Sequence, residues 1–334
     1  MIASVQQVLT RLLTHAGLSF AGRRTEPWST SPEDILIPLR DGTILSAVLA
    51  KPRGDQPCCG RVVVMVHGFA AEKTENGLFT AALAELVTHQ HWALLYDWRG
   101  VGNSKGDFTT SDLMVHARDF IEVVEWIKTR AHVGGNRVVA VGFSLGAAVI
   151  GLALKKGLKL GGIALLSPAL RPKHDIYPRY STDESISELH AQGYILKNDV
   201  RIGPQFLKSL REPDVSRYMK EVGIPILVCH GTEDVRIPYN VTEAMYRRGR
   251  LGEQAFFLSF DGATHSFRPE DVHRPRLYSS LCEWMDQLED VSGTNCAAGL
   301  RTGSMLNQDL VLGETRIPPQ TLRQPSPFPS TSPR

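Results

Sequence analysis

The run Val138-Val139-Ala140-Val141 leads straight into Gly142-Phe143-Ser144-Leu145-Gly146, and a stretch of small, helix-compatible residues follows. Four apolar residues, a Gly-x-Ser-x-Gly turn and a helix together have the pattern of a nucleophile elbow, in which a sharp turn between strand and helix presents a serine hydroxyl. The glycines have a physical task there. So tight a turn brings neighbouring backbone close, and Gly142 and Gly146 carry no side chain to clash with it. The five-residue pattern alone is common, and a Gly-rich turn with an idle serine is the plain alternative. The apolar run before it and the helical stretch after it favour a reactive Ser144.

A serine hydroxyl is almost fully protonated at neutral pH and needs a base beside it. The base in turn needs an acid to fix its tautomer and to stabilise the imidazolium that forms. Two later apolar runs each open into a loop with such groups. Residues 224–230 read as a buried strand ending in Gly231-Thr232-Glu233-Asp234, and residues 255–260 read as the next strand, ending in Asp261-Gly262-Ala263-Thr264-His265. Both loops follow strand ends, so they are expected at the same sheet edge as Ser144, where open α/β sheets bind ligands. His265 is the expected base and Asp234 the expected acid. Glu233 and Asp261 are the competing carboxylates, but adjacent residues in extended chain point opposite ways, so only one of Glu233 and Asp234 reaches the base. There are 11 histidines. His89, His91, His116, His132 and His273 lie on or beside expected helices and are expected to face solvent, and His230 reads as a packed loop former.

Acyl chemistry also calls for donors aimed at a developing oxyanion. One is expected from the backbone N–H of Leu145, the residue after the serine. The other is expected from the loop His67-Gly68-Phe69-Ala70 that follows the third strand, at the Phe69 amide. Gly68 gives that loop the freedom to turn an amide inward, although His67-Gly68 would end a strand in any case.

Taken together, His67-Gly68-Phe69, the elbow at residues 142–146, His230-Gly231-Thr232-Glu233-Asp234 and Gly262-Ala263-Thr264-His265 make the chain resemble an α/β-hydrolase over residues 33–289. The turn Asp97-Trp98-Arg99-Gly100-Val101-Gly102-Asn103-Ser104 also matches that family and reads as structural, tying loops together. Within the family the chain is similar to the serine-aminopeptidase-like and cinnamoyl (feruloyl) esterase-like branch. The resemblance implies an α/β-hydrolase fold: a mostly parallel eight-stranded sheet, helices on both faces, and a cap inserted after the sixth strand. It implies a Ser144-Asp234-His265 triad acting on a small-molecule ester or thioester. Ester hydrolysis comes first, thioester hydrolysis or acyl transfer second and amide cleavage third. A ligand-binding module that keeps the fold without turnover is the reading from another class.

The elements that must position these groups follow the apolar runs. Residues 34–39 and 43–50 read as a hairpin. Strands are expected at 61–66, 92–96, 136–143 and 162–166, and helices at 75–90, 113–129 and 145–156. Strand–helix alternation of this kind argues a mostly parallel sheet covered on both faces. After residue 167 the alternation lapses for roughly 50 residues, too many for a simple connection. Residues 168–222 are therefore expected to form the cap over Ser144, with 31–167 and 223–289 as the core. Tyr177, Tyr180, Tyr194, Ile195, Phe206 and Leu207 lie in this insertion. Its tyrosines are read equally as substrate contacts or as cover for apolar surface.

The chain has 334 residues, 42% of them hydrophobic, and a net charge of +2. That is enough apolar material for one large core and too mild a charge to argue for nucleic acid. No apolar run approaches the ~18 residues of a membrane span. The five cysteines include Cys229 inside an expected core strand. With an odd count and no metal-ligand spacing, they point to a reduced, cytoplasmic setting, with no metal and no cofactor. Residues 1–30 are expected to hold a docking helix and linker. Their lack of acidic residues before Glu26 also suits an organelle presequence. Residues 290–334, rich in Pro, Ser and Thr, are expected to be a disordered tail. A homodimer is left open.

Overall fold

The computed structural model describes residues 32–52, 61–131, 137–211, 214–267 and 272–288. The expectations for 1–30 and 290–334, and for Cys58, Cys59, Cys296 and His132, lie outside these residues. Eight strands form one sheet: β1 (Glu33–Pro38), β2 (Ile44–Ala50), β3 (Val62–Val66), β4 (Trp92–Tyr96), β5 (Val138–Phe143), β6 (Gly162–Leu166), and two later strands at Ile226–Gly231 and Ala255–Phe260. The later pair are β9 and β10, since a small two-stranded sheet, β7 (Ile195–Lys197) with β8 (Val200–Ile202), precedes them. The spatial order is β1-β2-β4-β3-β5-β6-β9-β10. β1 pairs antiparallel with β2, and β2 with β4. All other neighbours in this sheet run parallel.

The Val/Ile/Leu-rich central strands are buried at every position, as parallel strands covered on both faces must be. Successive side chains alternate between faces. Val62, Val64 and Val66 face helices α2 (Leu113–Ala131) and α3 (Gly146–Lys155), meeting Phe120, Val124 and Ile150. Val63 and Met65 face α1 (Leu78–Thr88) and α9 (His273–Asp286), the last described helix, which follows α8 (Tyr239–Arg247), and share a buried cluster with Phe79, Leu83 and Leu281. The elements agree with the sequence expectations, with one shift of physical interest. α1 starts at Leu78 and not at residue 75. Glu75, Asn76 and Gly77 all adopt left-handed backbone, at φ 45°, 53° and 81°, which a helix cannot include.

Two histidines expected at the surface are interior. His116 is 1% exposed and its ring stacks between Trp98 (4.7 Å) and Phe108 (5.1 Å). His91 is also buried, and its Nδ1 accepts from the Arg61 N–H at 3.1 Å. The turn after β4 is structural, as its residue types suggest. The buried Asp97 carboxylate accepts from the Lys73 backbone N–H and ammonium, both at 2.7 Å, and from the Asn103 N–H at 3.0 Å. Arg99 donates to both oxygens of Asp119 at 2.7 Å and pairs with Asp41 at 2.8 Å.

The insertion after β6 comprises α4 (Pro172–Asp175), a 3-10 turn (Tyr177–Tyr180), α5 (Asp183–Gln192), the β7–β8 hairpin, α6 (Pro204–Ser209) and α7 (Ser216–Val222). Thr182 caps the start of α5, and Gly193 at φ 81° ends it. The hairpin turns through Asn198 and Asp199, both left-handed at φ 46° and 62°, the combination a two-residue hairpin turn with matching twist requires. The insertion is fastened to the sheet side by Asn198 Nδ2 donating to the Ala70 carbonyl at 3.1 Å and by the Leu113 N–H donating to Ser209 Oγ at 3.1 Å. Between β8 and α6, Gly203 lies directly on the Thr109 carbonyl, where a Cβ has no room. No helix among the described residues is long and apolar enough to cross a membrane. Gly203→Ala is expected to lower unfolding stability by about 1–3 kcal/mol through overpacking, measured by urea denaturation.

Candidate active site

Ser144 sits between β5 and α3 at φ 50°, a conformation that non-glycine residues rarely adopt. The surrounding contacts hold it there. Its N–H donates to the Leu166 carbonyl at 2.9 Å, and its carbonyl accepts from Ala169 N–H at 2.9 Å. A Cβ on Gly142 would meet the Ile150 side chain at 2.6 Å. One on Gly146 would collide with the Val66 and His67 carbonyls. The glycines thus let the elbow close on its own helix and on the end of β3.

His265, in the loop after β10, places Nε2 3.1 Å from Ser144 Oγ and Nδ1 2.7 Å from Asp234 Oδ2. Asp234, in the loop after β9, also accepts the Arg236 and Ile237 N–H groups on Oδ1, both at 2.9 Å. The two loops are stitched together. Thr232 N–H donates to the Phe260 carbonyl and Glu233 N–H to the Ala263 carbonyl, both at 3.0 Å, and Gly262 N–H donates to Thr232 Oγ1 at 2.9 Å. Glu233 is exposed, and Asp261 is exposed with Thr232 as its partner at 3.2 Å. The two competing carboxylates therefore stand away from His265. His230 is packed at the end of β9 as expected, but the sequence reading missed its contact. Its Nε2 lies 3.0 Å from both Asp234 Oδ2 and the Ile237 carbonyl. Its position at a strand end, four residues before Asp234, was the available signal.

Burial alone would raise the Asp234 carboxyl. The hydrogen bonds from His230, His265 and the Ile237 N–H more than offset this and hold it well below the usual carboxylate range. Burial pushes His265 below the usual histidine value, and its bond to Asp234 only partly opposes that. His265 is therefore neutral at neutral pH. Nδ1 faces a carboxylate, which only accepts, so Nδ1 carries the proton and Nε2 offers its lone pair to Ser144.

The third component is the loop after β3. Among the described residues, neither the Phe69 nor the Leu145 N–H is spent on a backbone or side-chain hydrogen bond. The Gly68 N–H is spent: it donates to Glu75 Oε2 at 2.6 Å. Glu75 is a buried carboxyl that the sequence reading did not single out, and burial raises its pKa to about 7. The Phe69 ring stacks on Phe206 at 5.0 Å and meets the edge of Tyr180 at 5.1 Å, so the insertion covers this loop. A cavity of about 300 Å³ opens in the insertion beside Tyr177, Tyr180, Leu207, Lys208 and Arg211. Tyr177 and Tyr180 line it, whereas Tyr194 lies elsewhere, under Arg201.

The sequence pattern of the alpha/beta hydrolase family matches residues 63–279, more than half of the chain. The chain belongs to this family. Solved α/β hydrolases share its fold. Est1E from Butyrivibrio proteoclasticus, with ferulic acid bound, aligns at TM-score 0.60 and 20% identity, covering 76% of this chain and 98% of that one. The esterase EaEST from Exiguobacterium antarcticum aligns at TM-score 0.57 and 19% identity, covering 76% and 99%. The protein YfhR of Escherichia coli strain K12 is 24% identical over 256 residues, 75% of this chain and 80% of its own length. The family resemblance read from the sequence is thereby established, and the esterase side of the expected branch is represented among these neighbours.

For an α/β hydrolase with this constellation, the pH dependence follows from the lowered His265. Its basic form is present throughout the neutral range. Capture of a fluorophosphonate by Ser144 should rise along an acid limb centred below the usual histidine value and stay flat above it. Asp234→Asn should slow capture on the order of 10⁴-fold by spoiling the tautomer, read by labelling kinetics.

Proposed function

We propose that this chain is a serine hydrolase that cleaves carboxylic esters of small to medium substrates through an acyl-enzyme. The observation that carries the proposal is the unbroken line from Asp234 Oδ2 to His265 Nδ1 (2.7 Å) and from His265 Nε2 to Ser144 Oγ (3.1 Å). In this reading Ser144 Oγ attacks the ester carbonyl while His265 Nε2 takes its proton. Asp234 stabilises the imidazolium, and the N–H groups of Leu145 and Phe69 receive the oxyanion. The C–O bond to the alcohol then breaks, and His265 returns the proton to the leaving oxygen. A water, deprotonated by His265, attacks the acyl carbonyl and releases the acid and Ser144.

Several features support the reading. Ester cleavage asks less of such a site than amide cleavage, because an alkoxide leaves more easily than an amine. The solved neighbours include a protein with ferulic acid bound and two esterases, from Exiguobacterium antarcticum and Thermogutta terrifontis. Residues 168–222 are proposed as the lid of a core formed by 31–167 and 223–289, with the cavity beside Tyr177 and Tyr180 receiving part of the substrate.

Ser144→Ala should cut hydrolysis of short-chain nitrophenyl esters by a factor of roughly 10³–10⁶ while the fold, read by circular dichroism, survives. Near-full activity in that variant would sink the proposal. A panel of nitrophenyl esters of rising chain length, with hydroxycinnamate esters and acyl thioesters, sizes the pocket.

A further inference from the structure

Gly68 is gripped on both sides. Its N–H, in the His67–Gly68 peptide, donates to Glu75 Oε2 at 2.6 Å. Its carbonyl, in the Gly68–Phe69 peptide, accepts from His67 Nδ1 at 2.8 Å. The C=O and N–H of a trans peptide point to opposite sides. Fixing the Gly68 oxygen therefore fixes the direction of the Phe69 N–H, the amide assigned above to the oxyanion.

The grip needs one particular form of His67, and the surroundings impose it. The Trp98 backbone N–H donates to His67 Nε2 at 3.0 Å, so the ring proton must sit on Nδ1, facing the Gly68 carbonyl. Burial keeps the ring neutral, with a pKa lowered to about 4. The ring is immobilised by stacking on Trp98 at 4.7 Å. Glu75 arrives from the opposite side. It leaves the three-residue left-handed turn before α1, with Glu72, three residues earlier, and Arg236 of the loop after β9 as the charged groups that act on it. The space is closed around the glycine. A Cβ on Gly68 would stand 3.0 Å from the Phe143 ring and 3.3 Å from Glu75 Oε2. Burying a carboxyl is costly, and Glu75 is spent on the peptide adjoining the one that carries the Phe69 N–H.

We infer that His67 and Glu75 are positioning residues, a two-point clamp on Gly68 that aims the Phe69 N–H at the oxyanion. The inference rests on the serine-hydrolase reading and assigns these two residues a part in it.

The test uses the full chain, a short-chain nitrophenyl ester, and three variants of Glu75. The Gln side chain retains an oxygen at the same reach, so Glu75→Gln should keep kcat within about threefold of wild type. Glu75→Ala removes the acceptor and Glu75→Asp withdraws it by one methylene. Both should lower kcat by about 10–100-fold, short of losing a whole oxyanion donor, with KM nearly unchanged. In a Ser144→Ala background, amide hydrogen exchange across residues 67–70 should quicken at least about tenfold on adding Glu75→Ala or Glu75→Asp, and not on adding Glu75→Gln. Wild-type kcat in Glu75→Ala or Glu75→Asp, a loss in Glu75→Gln equal to that in Glu75→Ala, or unchanged exchange in the shortened variants would each overturn the clamp. If Glu75→Ala does not fold, the Asp and Gln pair decides. If the wild-type chain turns over no ester, the hydrolase reading fails by itself, and the exchange pattern, which needs no turnover, still decides whether the clamp exists.

Discussion

A side chain at residue 144 occupies backbone space normally left to glycine, and the placement of the whole site depends on that one conformation. A left-handed residue between strand and helix persists only when its surroundings over-determine it. Here the peptide of Ser144 is bonded on both sides, to Leu166 and Ala169. The absence of side chains at Gly142 and Gly146 lets α3 and the end of β3 press against the turn. The pressure works in both directions: it holds the serine out of line, and it brings the loop after β3 next to Leu145. The positions of the candidate nucleophile and of both candidate amides are thus consequences of one close packing.

The loops of Asp234 and His265 obey a similar economy. β9 and β10 pair in parallel, with Gly231 opposite Phe260, so their loops leave the sheet side by side. Backbone bonds between the loops then set the spacing of Asp234 and His265, and no long side chain has to bridge a gap. Asp234 is ringed by donors. A shell of that kind keeps the carboxylate ionised in a buried place and leaves His265 Nδ1 one direction to face.

The sequence was most legible where chemistry coincides with local grammar. Ser144, Asp234 and His265 each follow an apolar run at a strand end, and the structure brings all three together. The strands themselves were legible because fully buried parallel strands are continuous runs of Val, Ile and Leu. What escaped depends on tertiary partners. His116 lies on a helix, and helical spacing does not say that its face meets Trp98, Phe108 and Phe206. Glu75 looks like an ordinary acidic residue at a helix start. Only the fold shows that its backbone turns left-handed and its carboxyl reaches Gly68, seven positions back. His230 was correctly read as packed, but its contact with Asp234 depends on a loop that doubles back over four residues.

One ring ties the proposed lid to the proposed oxyanion amide. Phe69 carries a proposed oxyanion amide on its backbone, while its side chain is lodged between Phe206 and Tyr180 of the insertion. In the proposed reaction, any guest that props the lid out of place also tilts the amide that must greet the negative charge. Poorly shaped guests are then turned away at the bond-making step and not at the door, so selectivity is written into the barrier as much as into affinity.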